Sequence, residues 1–279
     1  MRENYKKEVV GITGASGFIG KNLSQHLELC GFKVISLKRG FSVDELQKCN
    51  IIINLAGSTI NKRWSKSYKK KILESRLNTT KKITSYIKEN SNISLLINAS
   101  AVGIYSAESK LCNDEYNNLL GNDFLATVCK EWEKEALSVK EECRVAIIRL
   151  GVVLSKKGGA LPKLTLPARF GIATILGDGN QIISWVMLED LLRAIDYIIE
   201  SNLKDIINIC APNPITNREL TKEIAKHYNS LFTIRIPAFF IKLILGSSSS
   251  VILKGQYVVS KKLKESNFRF RKPFFTKLF

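Results

Sequence analysis

Val10-Gly11-Ile12-Thr13-Gly14-Ala15-Ser16-Gly17-Phe18-Ile19-Gly20 sets an apolar run of strand character directly against a GxxGxxG turn and the opening of an amphipathic segment. Strand, glycine turn and helix in that order are the setting a dinucleotide-binding turn requires. Gly14 lets the chain turn tightly, Gly17 lets backbone approach a pyrophosphate, and Gly20 lets the helix pack closely. The unpaired N–H groups and the dipole at the helix start then favour an anion. Gly14, Ser16, Gly17, Phe18 and Ile19 are therefore read as cofactor-binding.

Outward from this turn, short apolar runs alternate with longer segments of helical period. The runs are Glu8–Thr13, Phe32–Leu37, Ile51–Leu55, Ser94–Ala99, Val145–Leu150 and Ile206–Ile209. Gly17–Cys30, Lys66–Asn90, Asn122–Glu142 and Glu189–Ser201 have helix length and amphipathic spacing between them. Strands apolar on both faces imply a parallel sheet covered by helices on both sides, so the fold class is α/β, a Rossmann-type doubly wound sheet. Beyond about residue 155 the pattern breaks at Gly158-Gly159, Pro162, Pro167 and Gly177-Asp178-Gly179 into loops that should line a site. Thr216-Asn217-Arg218-Glu219 fits a capping box opening a helix to about Asn229. The division expected is a dinucleotide-binding domain over 1–155, completed by 182–211, with 156–181 and 212–279 forming a small C-terminal substrate-side lobe.

The second strand decides between cofactors. An acid about 20 residues past the turn usually grips a free ribose 2′-hydroxyl. Here the strand ends Ser36-Leu37-Lys38-Arg39, and no acid occurs before Asp44. Two cations suit a 2′-phosphate, so NADP is expected rather than NAD, with Arg39 as the bidentate ligand. Period-2 alternation would turn Lys38 to the opposite side.

With 279 residues, 45% hydrophobic and 24% charged, the chain can bury a sizeable core, which excludes wholesale disorder, collagen and coiled coil. The net charge of +18 is uneven. Residues 61–82 hold nine Lys/Arg and one Glu, and residues 254–279 hold eight and one. Neither stretch interleaves aromatics as a nucleic-acid reader does, so solvated lysines are expected, with no specific nucleic-acid partner. The six cysteines form no CxxC pair, and no histidine is read as partnering them at zinc-ligand spacing, so no metal is expected. The opening segment lacks the apolar stretch of a secretory signal, and no run of 18 apolar residues exists. A cytoplasmic protein with no membrane partner is expected, and a homodimer is left open.

These residues resemble the extended short-chain dehydrogenase/reductase superfamily in Thr13–Gly20 and in Asn54-Leu55-Ala56-Gly57. The chain is more closely similar to its atypical YfcH-type branch of epimerase family proteins. Arg63-Trp64, Ser75-Arg76, Ser100–Tyr105, Lys130-Glu131-Trp132-Glu133, Arg149–Leu154, Gly177-Asp178-Gly179, Ser184-Trp185-Val186, Ala211–Pro214 and Gly255-Gln256 carry that resemblance nearly end to end. It implies NAD(P) binding, adds Leu55, Ala56 and Gly57 to the cofactor site, and reads Ser184-Trp185 as pocket wall.

Working members of that superfamily use a Tyr-x-x-x-Lys pair for proton exchange with the substrate oxygen. The helix expected to carry it reads Asp123-Phe124-Leu125-Ala126-Thr127-Val128-Cys129-Lys130, without tyrosine. Arg76 stands at the Asn position of the set, and Ala101 at the serine position with Ser100 beside it. Tyr257–Lys261 matches the pattern literally but falls in the tail lobe, and is read as chance. Ser100 and Tyr105, at the carboxyl end of a parallel strand, are the remaining catalytic candidates, each with a purely structural alternative. His26 and His227 build no triad, Asp190 is a helix-start or structural acid, and Glu131 and Glu133 face apart on their helix. The expected function is an NADP-binding epimerase- or oxidoreductase-like enzyme acting on an unknown small molecule; the alternative is a non-catalytic NADP(H) sensor or scaffold.

Overall fold

A computed structural model describes residues 8–107, 111–116 and 119–275. The basic opening Met1–Lys7 and the last four residues of the second basic segment lie outside them. Five strands, β1 (Val9–Thr13), β2 (Lys33–Leu37), β3 (Ile51–Asn54), β4 (Leu95–Ala101) and β5 (Arg144–Leu150), join the strand Asp205–Ile209 in one sheet. Its spatial order is Asp205–Ile209, β5, β4, β3, β1, β2, and every pairing is parallel. The chain turns back on itself between β1 and β3, which places a crevice at the carboxyl ends of those two strands.

Alternation inside the strands explains why both faces are apolar. Val10 and Ile12 of β1, Ile51 and Ile53 of β3, and Ala146 and Ile148 of β5 face one core, shared with helices α1 (Phe18–Leu29) and α6 (Leu188–Glu200). Ile52, Leu96, Val145 and Ile147 face the other, against α3 (Lys66–Glu89) and α4 (Phe124–Leu137). In α1, Gly20, Leu23 and Leu27 recur at helical spacing on the buried side. The helix α4 begins where Asp123 accepts the Ala126 N–H, and it ends at Leu137, short of the expected Glu142.

The sheet was legible from apolar runs; two other features were not. A short helix α2 (Val43–Gln47) is fixed by a capping box between Ser42 and Glu45, and it takes Asp44 into its first turn. The lobe holds a parallel pair, Ile172–Leu176 with Phe232–Ile236, flanked by α5 (Leu161–Arg169) and α7 (Asn217–His227). The cap expected at Thr216 is formed in both halves. The helix α8 (Ala238–Leu245) buries only Ile241 and exposes Phe239, Phe240, Leu243 and Ile244. No helix among the described residues is long and apolar enough to cross a membrane.

Candidate functional site

A cleft of 820 Å³ opens at the switch between β1 and β3. Gly14, Ser16 and Gly17, then Lys38 and Arg39, and Leu55, Ala56 and Gly57 all line it, together with Glu74. The glycines are sterically required. Gly14 has φ +67°, and a Cβ there would meet the Leu55 carbonyl oxygen at 2.8 Å. A Cβ on Gly20 would strike Gly14 and lie 2.7 Å from Ala15 Cα, so Gly20 makes room for the turn itself rather than for the strand. The Gly17 Cβ direction meets only Gly14 O, at 3.2 Å, which leaves that position facing the cleft. Gly17 also precedes α1 without any side-chain cap, so the first N–H groups of the helix remain available to an anion.

Phe18 and Ile19 are not among the lining residues, and what they offer an anion at the cleft is their helix-start N–H groups rather than their side chains. The Phe18 ring fills the space over Gly158, where a Cβ would come within 2.7 Å of its Cδ2. Lys38 lines the cleft too, beside Arg39, and the premise behind their expected opposite facing does not hold. The strand stops at Leu37, and Lys38–Phe41 is a turn closed by Phe41 N–H to the Lys38 carbonyl at 3.0 Å, so strand alternation no longer applies. Lys71 and Lys82 add charge along the same wall, although Lys82 Nζ is engaged by the Phe41 carbonyl. Among the described residues, none from the loops beyond 155 lines this cleft.

Beneath the turn runs a chain of buried polar groups absent from the sequence reading. Thr13 Oγ1 donates to Asn54 Oδ1 at 2.6 Å, and Asn54 Nδ2 donates to Asn98 Oδ1 at 2.6 Å and Thr80 Oγ1 at 2.8 Å. Three neighbouring strand ends are thereby held in register where the cleft opens, since leaving any of these groups unpaired inside the protein would be costly.

Arg76 lies directly behind Gly57, where a Cβ would come within 2.8 Å of its Cζ. Its Nη1 donates to the carbonyls of Ile72 at 2.9 Å and Ser58 at 3.2 Å, and its guanidinium sits 5.1 Å from the Trp132 ring centroid. No carboxylate among the described residues pairs with it. Burial lowers its pKa, partly countered by Cys129 and Tyr68 nearby. The Cys129 thiol is pushed up to about 11 by burial, reinforced by Glu133, and so stays protonated.

The two catalytic candidates are drawn into a different assembly. Arg149 Nε and Nη2 donate to the two carboxylate oxygens of Glu133 at 2.8 and 2.7 Å. Ser100 Oγ donates to Glu133 Oε1 at 2.5 Å. Tyr105 accepts from Arg149 Nη1 at 2.9 Å, with the Asp114 carbonyl and Asn208 Oδ1 each 3.0 Å from its hydroxyl. Burial raises the Tyr105 pKa against the opposing pull of Arg149. For Arg149 burial acts downward, but the Glu133 hydrogen bonds and charge outweigh it and leave the pKa raised. Tyr105 is 1% exposed and Ser100 3%, and neither lines the cleft.

Elsewhere the sequence candidates are structural. Asp190 is wholly buried and accepts from the backbone N–H of Arg271 and Lys272 and from Arg193. Trp185 is also wholly buried and Ser184 bonds the Gln256–Val258 backbone, so this pair is core and tether rather than pocket wall. Lys261 pairs with Asp114 at 3.4 Å. Glu131 is exposed and Glu133 buried, as their spacing of two requires.

The description NAD dependent epimerase/dehydratase family matches residues 10–210, and the domain of unknown function DUF1731 matches residues 236–275. The chain belongs to the NAD dependent epimerase/dehydratase family. Among its relatives, the epimerase family protein SDR39U1 homolog, chloroplastic, of Arabidopsis thaliana is 34% identical, covering 94% of this chain and 83% of the relative. Epimerase family protein YfhF of Bacillus subtilis is 33% identical over 94% and 93%. The crystal structure of human epimerase family protein SDR39U1 with NADPH superposes with a TM-score of 0.90 at 27% identity, covering 97% of both chains. This family member thus shares its whole architecture, tail lobe included, with a solved relative.

Proposed function

We propose that this protein binds NADP(H) in the β1–β3 cleft and uses it in an oxidoreductase- or epimerase-like reaction on a small molecule. The observation that carries the reading is the pair Lys38 and Arg39 on the cleft wall, with Asp44 removed into α2. The solved human relative with NADPH supports it. The residues fit the cofactor: the Gly14–Gly17 turn leaves room and amides for a pyrophosphate, Arg39 and Lys38 suit a 2′-phosphate, and Leu55–Gly57 face them. When bound, the cofactor supplies or accepts a hydride. In this chain Arg76, at the Asn position of the missing set, acts from behind the cleft lining as a positioning residue that holds Gly57 and the Ser58 carbonyl. Ser100 and Tyr105 then act as positioning residues, through Glu133 and Arg149.

The engaged hydroxyls of Ser100 and Tyr105 favour a second reading, a cytoplasmic NADP(H) sensor or scaffold without turnover. Adding a panel of aldehydes, ketones and nucleotide sugars to NADPH-loaded protein separates the two. Substrate-dependent loss of reduced-nicotinamide absorbance that falls in Arg76→Met supports the enzyme. Tight NADPH binding with no oxidation across the panel supports the sensor. In either case 1–155 with 182–211 is the cofactor domain in our reading, 156–181 with 212–279 the substrate-side lobe, and no specific nucleic-acid site is involved.

A further inference from the structure

His26 and Cys30 are four residues apart at the end of α1, and the helical hydrogen bond from Cys30 N–H to the His26 carbonyl, 3.0 Å, holds both on one face. Asp196 reaches them from α6, the neighbouring helix on the same side of the sheet. His26 Nε2 lies 2.5 Å from Asp196 Oδ2, and Cys30 Sγ lies 3.8 Å from Nε2 and 4.0 Å from Oδ2. One imidazole nitrogen, one thiol sulfur and one carboxylate oxygen thus converge within 4.8 Å of one another.

We propose that His26, Cys30 and Asp196 form a binding site for a borderline-soft divalent transition-metal ion of the zinc class. Three donors at about 2.0–2.3 Å from a shared ion stand roughly 3–4 Å apart from each other, and both sulfur separations already meet that spacing. A small rotation of the Asp196 carboxylate opens the remaining pair. Imidazole with thiolate selects zinc, cobalt or nickel over calcium and magnesium, which demand oxygen ligands. A second observation points the same way: Asp196 Oδ1 is buried without a hydrogen-bond partner, an unmet acceptor that chelation or a metal-bound water would satisfy. An ordinary His–Asp ion pair with a thiol hydrogen bond accounts for the three contacts but not for the idle oxygen.

The site departs from the sequence-based expectation of no metal, which overlooked His26 and Cys30 at i, i+4 spacing and could not see a third ligand 166 residues beyond Cys30. It is also remote from the cofactor. At 1.5 Å rise per residue, Cys30 stands roughly 20 Å along α1 from Gly17. An ion there would staple α1 to α6 and stiffen the helix whose other end faces the cleft.

The test uses full-length protein freed of metal by chelation under reducing conditions and titrated with Co2+. One equivalent should produce an intense near-ultraviolet thiolate-to-cobalt charge-transfer band together with tetrahedral visible bands, and Zn2+ should displace it. Cys30→Ser should abolish the charge-transfer band, and Asp196→Asn should weaken Co2+ binding at least tenfold, while NADPH affinity in both variants stays at the wild-type value and shows them folded. The proposal is overturned if no band appears at one equivalent, or if it survives in Cys30→Ser and so belongs to another cysteine.

Discussion

The cofactor cleft and the Glu133–Arg149 assembly stand at the same carboxyl edge of the sheet, yet they treat polar groups in opposite ways. In the cleft, the helix-start amides at Gly17 lack a side-chain cap, and Lys38 and Arg39 line it while its one lining carboxylate, Glu74, pairs with Lys70. In the assembly, Glu133, Arg149, Ser100 and Tyr105 answer one another within the interior. Groups left unpaired at a surface crevice are available to a ligand; groups paired in the core hold strands together. The difference shows why residues that look catalytic by position can be structural by partner.

The largest effect should come from breaking the closed assembly. Glu133→Gln leaves Arg149 as an uncompensated buried cation, a loss of about 3–5 kcal/mol. Thermal unfolding should show a fall of roughly 5–15 °C in Tm. A Tm within a degree or two of wild type would mean that the pair is not the keystone described. Next comes the open cleft: Gly17→Val places a branched side chain where a pyrophosphate must approach, and calorimetry should find NADPH affinity reduced at least about 100-fold in a protein that still unfolds cooperatively.

Tyr105→Phe is the sharper probe of the comparison, since it touches only the assembly. It removes one acceptor for Arg149 and one donor, costing about 2 kcal/mol, and NADPH affinity should not move. Weakened NADPH binding without loss of stability would place Tyr105 in the cleft after all. The smallest effect concerns the lobe. Glu219 has its pKa lowered by the Thr216 backbone and hydroxyl hydrogen bonds, so its cap stabilises above the ordinary carboxylate range and is lost as pH falls through the folded-state value. Denaturant curves of wild type and Glu219→Gln should differ slightly at neutral pH and converge in acid.

What could be read in advance follows from how local each feature is. The strands from Val9 to Ile209 announce themselves as apolar runs, and the cap at Thr216 needs only four consecutive residues. The turn at Gly14–Gly20 is equally local. Alternation could not order Lys38 and Arg39, because it holds only inside a strand and nothing in Ser36–Arg39 marks Leu37 as its last residue. The Glu133–Arg149 pair was out of reach for another reason. Helical spacing separates Glu133 from Glu131 but says nothing of a guanidinium on the next strand. The Asn54–Asn98 bond and the Ile172–Leu176 pairing with Phe232–Ile236 likewise join residues 44 to 60 positions apart.

The central claim, an open cleft built for a 2′-phosphorylated dinucleotide, is tested most directly by titrating NADPH and NADH against wild type and Arg39→Ala. A charge-assisted contact of about 1.5–3 kcal/mol predicts NADPH binding roughly 10- to 150-fold weaker in Arg39→Ala, with NADH nearly unchanged. Equal affinity of the wild-type protein for the two cofactors would contradict it.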